Sequence, residues 1–409
     1  MNNDIRKKVK QRVTALILTF LVFFVGIMTL ITSFAKESGD DADVSVEAED
    51  IKTEESSEGN IFEDRLFMFD GFLNLYSAFE VFSGSHIFED AAYGYLIKDM
   101  QGKLHFSEKR AYKDEYGEKL LTLAGKAKAA GIPFIYIQAP NKRIRGYTVF
   151  PPGARNDSNE DADELISFLG EAGVETLDLR ERLSGSGIPY ADMFYATDHH
   201  WTNETAFWAF GEVAAELYSR FKINCDPSGY HRNIENYDIT YYKKCFLGSQ
   251  GRRVGKFIAG VDDYTFIAPK DSFDYVVSDM VRRPDWPLAE GGFGDAVARE
   301  SILSDEDITA NRYAAYFGYD YGLMKIKNNS AENDIKLLII KDSFALPLAA
   351  YLSTCISELW LLDPRDTGAP IAENVMREHD FDAVIVMYNT EVFDDAHFDG
   401  LCVSQGERP

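Results

Sequence analysis

Short apolar runs separated by amphipathic stretches set the organisation of most of this chain. IPFIYIQAP, residues 132–140, is one such run. It is short and rich in the branched and aromatic side chains that favour a pleated sheet. Residues 174–179, 335–340, 358–363 and 383–389 repeat the pattern. The stretches between them carry apolar residues at three- and four-residue spacing. EYGEKLLTLAGKAKAAG predicts a helix ended by Gly131, residues 159–172 a second and residues 371–379 another, and a further helix starts near Leu346. Apolar runs joined by helices assemble as a parallel sheet covered on both faces. The expectation is a three-layer α/β domain. Residues 132–137, 174–177, 335–340, 359–362 and 383–387 share its mostly parallel sheet.

Two regions differ from this rhythm. YGYLIKDMQGKLHF predicts a hairpin turning at Gly102. Residues 222–330 mix Gly, Tyr, Asp and Arg, and predict short strands and long loops: an insertion or a small β-rich subdomain. Before it, Phe207, Phe210, Ala214, Leu217 and Phe221 form one core-facing stripe of a helix with Thr202 as N-cap and Glu204 in its first turn.

The N-terminus reads differently again. MNNDIRKKVKQR (residues 1–12) is basic, and residues 13–34 run without a charge for about the length that crosses a bilayer as a helix. The basic side stays in the cytoplasm, which places the rest of the chain outside the membrane. The apolar run exceeds that of a cleaved signal peptide. Residues 35–60 are acidic and nearly free of large apolar groups, the composition of a disordered stalk. The folded domain is expected over residues 61–409, with its insertion at about 222–330.

Composition narrows the function. The formal net charge of -25 excludes a nucleic-acid backbone as partner, although part of that charge belongs to the stalk. Four cysteines, Cys225, Cys245, Cys355 and Cys402, have no zinc-knuckle spacing, and sequence alone assigns no pairs. No cofactor motif is present.

The seven histidines are scarce, and two of them stand in FYATDHHWTNETAFWAF. A serine becomes nucleophilic at neutral pH only beside a base, and histidine is the usual one. A carboxylate must then hold the imidazole in one tautomer. Two residues on, an extended chain returns to the same side, so His200 pairs with Asp198 better than His199 does. Ser343, in IIKDSFALP, stands where a strand turns into a helix, where a side chain is accessible and its N–H can face a developing oxyanion. Asp198, His199 and His200 also offer metal ligands, but no HExxH or HxH partner accompanies them, so no metal is expected.

FYATDHHWT resembles the signature of the bacterial DHHW protein family, and through it the alginate O-acetylation proteins AlgX and AlgJ, which carry an SGNH-hydrolase-like domain. The resemblance extends to APNK at residues 139–142 and to GSQGRRVGKFIAGVDDY. It implies Ser343 as nucleophile, His200 as base and Asp198 as its acid, on an SGNH-like fold of variant element order. Two departures stand out. Lys341 occupies the glycine position of the family's GDSF turn, where it can crowd the pocket. The serine also comes last and the acid–base pair is D-x-H, as in the alginate group and unlike standard SGNH hydrolases. A triad is defined by geometry and not by chain order. Asn389, Tyr388, Asn141 and Lys142, at strand ends, are candidates for positioning an oxyanion or substrate. Arg252, Arg253 and Trp201 are candidates for substrate contact.

Two classes of function follow. One is serine-dependent acyl-ester chemistry on a cell-surface polysaccharide or peptidoglycan, by acetyl transfer or hydrolysis, with a membrane acetyl-export partner. The other is an inactive, membrane-tethered glycan-binding or assembly protein of the same fold. For the topology, protease shaving of intact cells is expected to degrade residues 61–409 while a cytoplasmic reporter survives. Protection of that region while surface controls are cut excludes a domain outside the membrane.

Overall fold

The computed structural model describes residue 80, residues 84–367 and residues 371–401. The expected anchor, the acidic stalk, the start of the folded domain and Cys402 lie outside the described residues. Among the described residues no helix is long and apolar enough to cross a membrane.

The described chain opens with β1 (Ile87–Asp90), β2 (Gly94–Lys98) and β3 (Leu104–Phe106), a small antiparallel sheet. The β2–β3 turn uses Gly102 at φ +93°, a conformation that L side chains rarely adopt. Then follow α1 (Asp114–Ala129), β4 (Phe134–Gln138), α2 (Ser158–Glu171), β5 (Thr176–Asp178) and α3 (Asn203–Phe221). The central segment holds β6 (Tyr237–Phe246), α4 (Ser249–Val254), α5 (Lys256–Ala259), β7 (Asp262–Pro269), β8 (Tyr275–Asp279), β9 (Pro287–Gly291), α6 (Glu300–Ser304) and β10 (Leu323–Asn328). The alternation resumes with β11 (Lys336–Lys341), α7 (Ala345–Leu352), β12 (Glu358–Leu362), α8 (Ala372–Glu378), β13 (Ala383–Tyr388) and α9 (Asp395–Asp399).

Eight strands form the main sheet, in the order β5-β4-β13-β11-β12-β10-β8-β9. The five strands expected from the apolar runs are all in it, and each pairs in parallel with its neighbour among them. β10, β8 and β9 extend the sheet antiparallel. Residues 222–330 are therefore no separate subdomain. β6 and β7 form a two-stranded ribbon of their own, while β8, β9 and β10 complete the main sheet.

Strand alternation sends two apolar sets to opposite faces. Ile135, Ile137, Leu337, Ile339, Ile385 and Met387 share a core with Phe207, Phe210, Ala214 and Leu217 of α3 and Leu348 and Leu352 of α7. Tyr136, Leu338, Ile340, Val384 and Val386 share the other with α1, α2 and α8. The result is the expected three-layer arrangement. Thr202 occupies the N-cap position of α3, but its hydroxyl donates to the Asp192 and Met193 carbonyls and caps no helix N–H.

Candidate active site

In a parallel α/β sheet the carboxyl ends of the strands meet one edge, where loops gather side chains from distant parts of the sequence. Here β11 ends at Lys341, and Asp342 and Ser343 make the turn into α7. Asp342 braces that turn. One carboxylate oxygen accepts the Phe344 N–H at 2.8 Å, and the other accepts the Asn389 N–H at 2.6 Å and its side-chain amide at 2.8 Å. The turn is thereby fixed to the end of β13. The Ser343 side chain is half-buried. Its N–H makes no hydrogen bond among the described residues, which leaves it free to meet an oxyanion.

Asp198 and His200 reach the same place from the loop before α3. His200 Nε2 is 2.7 Å from Ser343 Oγ, and His200 Nδ1 is 2.6 Å from Asp198 Oδ1. The same carboxylate oxygen accepts the His200 N–H at 3.1 Å, and Asp198 Oδ2 accepts the Ser249 N–H at 2.8 Å. Burial alone would push the Asp198 carboxyl up. The charges of His200 and His199, with the hydrogen bonds from His200 and Ser249, outweigh it and hold Asp198 well below the usual carboxylate range. The structure thus brings together a hydroxyl, an imidazole and an ionised carboxylate separated by some 140 residues of chain.

His199 turns the other way, toward Ser249 Oγ at 3.0 Å, with its pKa lowered by burial and by His200. Donor atoms of Asp198, His199 and His200 lie within 4.8 Å of one another, as a metal site would require. Both ring nitrogens of His200 are already engaged, by Asp198 and Ser343, an arrangement suited to proton transfer.

Several residues that build this geometry were not singled out in the sequence. Gly248 is the clearest. A Cβ there would lie 2.2 Å from Asp198 Cβ and 2.8 Å from its Cα, so only glycine lets the loop carry the Ser249 N–H onto the carboxylate. Tyr313 stacks on the His200 ring at 3.6 Å and 10°, and its hydroxyl donates to the Phe344 carbonyl at 3.2 Å. Gly248 stands in a quoted motif, GSQGRRVG. No local pattern marks Tyr313.

The other sequence candidates have different surroundings. Trp201 is fully buried and offers no surface to a substrate; its indole N–H donates to Tyr313 Oη and to the Phe344 carbonyl, both at 3.1 Å. It pins the turn just beyond Ser343. Tyr388 is also fully buried and donates to the His397 carbonyl, in the core on the far face of the sheet. Asn389 is committed to Asp342 and to the Glu391 N–H. Asn141 holds Ser158 and Glu391. Lys142 is buried, donates to Gln250 Oε1 at 2.5 Å and is pushed down to about 7 by burial. Arg253 pairs with Asp90 and covers the Tyr93 ring, while Arg252 is exposed. Lys341 does not extend toward the serine and histidine. Its ammonium is fully buried between Asp320 and Asp363, whose charges outweigh burial and raise its pKa.

A strand-end serine is thus hydrogen-bonded to a carboxylate-held histidine at the edge of a mixed α/β sheet. Comparison with known proteins bears on the fold that carries it. Residues 105–232 match the family described as ALGX: SGNH hydrolase-like domain, acetyltransferase AlgX. No curated protein matches the chain. Among solved structures, Bacillus cereus PatB1 with a sulfonyl adduct superposes with a TM-score of 0.58 at 16% identity, over 74% of this chain and 98% of that one. A second PatB1 structure gives 0.58 at 18% identity, over the same shares. A DHHW family protein from Eubacterium siraeum gives 0.56 at 14% identity, over 76% and 96%. This chain shares their fold.

Two outcomes follow. Gly248→Ala is expected to displace Asp198 and lower any activity that depends on His200 by about 100-fold, the effect of an error near 1 Å at a reacting group. A crystal structure of the variant with Asp198 unmoved, or full activity, counts against this. Burial pushes Glu391 up to about 8, so the folded protein keeps a proton that the unfolded chain releases near 4.5. That stabilisation is complete below the lower value and is lost as pH rises through the higher one. Lys142 acts oppositely above about 7. Glu391→Gln, which keeps an acceptor for Asn141, should therefore gain melting temperature over the native protein between about pH 5 and 7. A pH-independent difference rejects it.

Proposed function

We propose that this chain is an extracytoplasmic serine-dependent acyl-ester enzyme, an O-acetyltransferase or acetylesterase acting on a cell-surface or cell-wall glycan. The observation that carries the reading is the 2.7 Å contact between His200 Nε2 and Ser343 Oγ, with Asp198 on the opposite ring nitrogen. The match of residues 105–232 to a family described as an acetyltransferase supports acetyl as the group moved.

In this mechanism Ser343 Oγ attacks an acetyl carbonyl while His200 Nε2 takes the hydroxyl proton. Asp198 holds the Nδ1–H and balances the imidazolium. The Ser343 N–H faces the oxyanion of the tetrahedral intermediate. Collapse breaks the ester bond, and the leaving oxygen takes the proton from His200. The acetyl group is then esterified to Ser343. A sugar hydroxyl, or water, next gives its proton to His200 and attacks the acyl-enzyme. Collapse returns the proton to Ser343 Oγ and releases the new ester, or acetate. The membrane anchor expected at residues 13–34 would hold this domain beside a membrane partner that delivers acetyl groups.

The test uses purified residues 61–409 and a small activated acetyl ester. Ser343→Ala is expected to lower kcat/KM by about 10⁴-fold, and His200→Ala by a comparable factor. Combining them should cost little more, because residues of one triad act as a unit. Chelator should leave the rate unchanged, which separates this chemistry from a metal-bound water. A sulfonyl fluoride should label Ser343 in the native protein and leave the His200 variant largely unlabelled. Full activity in Ser343→Ala removes the nucleophile assignment. Absence of turnover and labelling with every donor and glycan tried leaves the glycan-binding role.

A further inference from the structure

The chemistry above makes no use of Cys225 and Cys355. Both thiols are buried, each with 3% of its surface exposed, and both belong to the core on the α3–α7 side of the sheet. They lie in hydrogen-bonding contact with each other, and Cys355 Sγ also reaches the Leu352 carbonyl at 3.2 Å. Cys245 lies elsewhere, partly exposed, against the Tyr242 carbonyl at 3.5 Å. The sequence assigned no pairs; in the fold the neighbour of Cys225 is Cys355.

Their positions give the contact its interest. Cys225 stands just beyond the end of α3 and Cys355 just beyond the end of α7. The starts of the same two helices carry the reacting groups: His200 precedes α3, and Ser343 precedes α7. We infer that Cys225 and Cys355 form an intramolecular disulfide in the exported protein, a covalent staple across the far ends of the two helices that present His200 and Ser343. The inference rests on the extracytoplasmic placement proposed above, where disulfides persist. Slippage of one helix along the other would open the 2.7 Å contact between Ser343 and His200. A bond at the opposite ends removes that freedom.

The oxidant is a thiol–disulfide exchange protein or a small disulfide. The Cys225 thiolate attacks one sulfur of the oxidant and expels the other as a thiol. Cys355 loses its proton and attacks the mixed disulfide at Cys225, which releases the second thiol. Two protein thiols become one disulfide, and the oxidant's disulfide becomes two thiols.

The test reads mass and not activity, so it stands apart from the acetyl chemistry. Full-length protein is equilibrated in glutathione buffers of graded ratio, alkylated under denaturing conditions and digested. A peptide pair joined through Cys225 and Cys355, lost on reduction, is expected, together with a melting temperature that is higher oxidised than reduced. Cys355→Ala should erase that difference, and Cys225→Ser should leave Cys355 unpaired. Alkylation of both cysteines at every ratio, or pairing of either with Cys245 or Cys402, overturns the inference. Cells trapped directly in alkylating reagent give the second arm: the joined peptide supports it, and free thiols at both positions overturn it.

Discussion

An ionised carboxylate sealed from water is the constraint around which the site is built. Asp198 is nearly fully buried, and a buried charge is tolerated only where hydrogen bonds and opposite charge replace its hydration. Its two oxygens receive the His200 ring, the His200 N–H and the Ser249 N–H. The last of these requires the chain to cross Asp198 at Gly248, with no room for a side chain. The first fixes which ring nitrogen carries the proton, and so which one faces Ser343. A glycine, a tautomer and a serine contact all follow from the way one charge is satisfied.

The serine side depends on a second set of bonds. Phe344 gives its N–H to Asp342 and receives Trp201 and Tyr313 at its carbonyl. The residue after the serine is therefore held from both ends, and the turn from β11 into α7 is tied to the His200 loop. Lys341 belongs to this frame. Glycine would let other backbone approach at the end of β11. Lysine instead places a cation in the interior, where Asp363, itself bound to Arg365, and Asp320 surround it. A substitution that crowding arguments would count against the site is accommodated by pairing the ammonium away from it.

What could be read from the sequence follows from the range of each interaction. The five parallel strands were legible because each is a compact apolar run, and burial on both faces leaves a mark in every residue. β8, β9 and β10 were not, since many of their residues are only partly buried and their pairing is set by distant strands. Asp198 and His200 stand two residues apart, so their pairing is a local matter. Tyr313 meets His200 across more than a hundred residues, and nothing near it in sequence reports the contact. Trp201 and Tyr388 were read as candidates for contact with the substrate or oxyanion, but position along an element does not say which side faces solvent, and both are fully buried. Asn389 was read as a free donor because its acceptor, Asp342, arrives from another strand.

The strand order has a consequence for how the molecule comes into being. β13 is the last strand among the described residues, yet it lies between β4 and β11. Until residues 383–388 are available, the β5–β4 pair has no hydrogen-bonded connection to the rest of the sheet. The early half of the chain can gather its helices but cannot close the layer on which the site rests. Folding of this domain is thus a late, non-local event, slow by the rule that distant contacts delay closure. During synthesis the edges of β4 and β11 stay open to other chains, and shortening the C-terminus before β13 would split the sheet at its middle rather than trim its border.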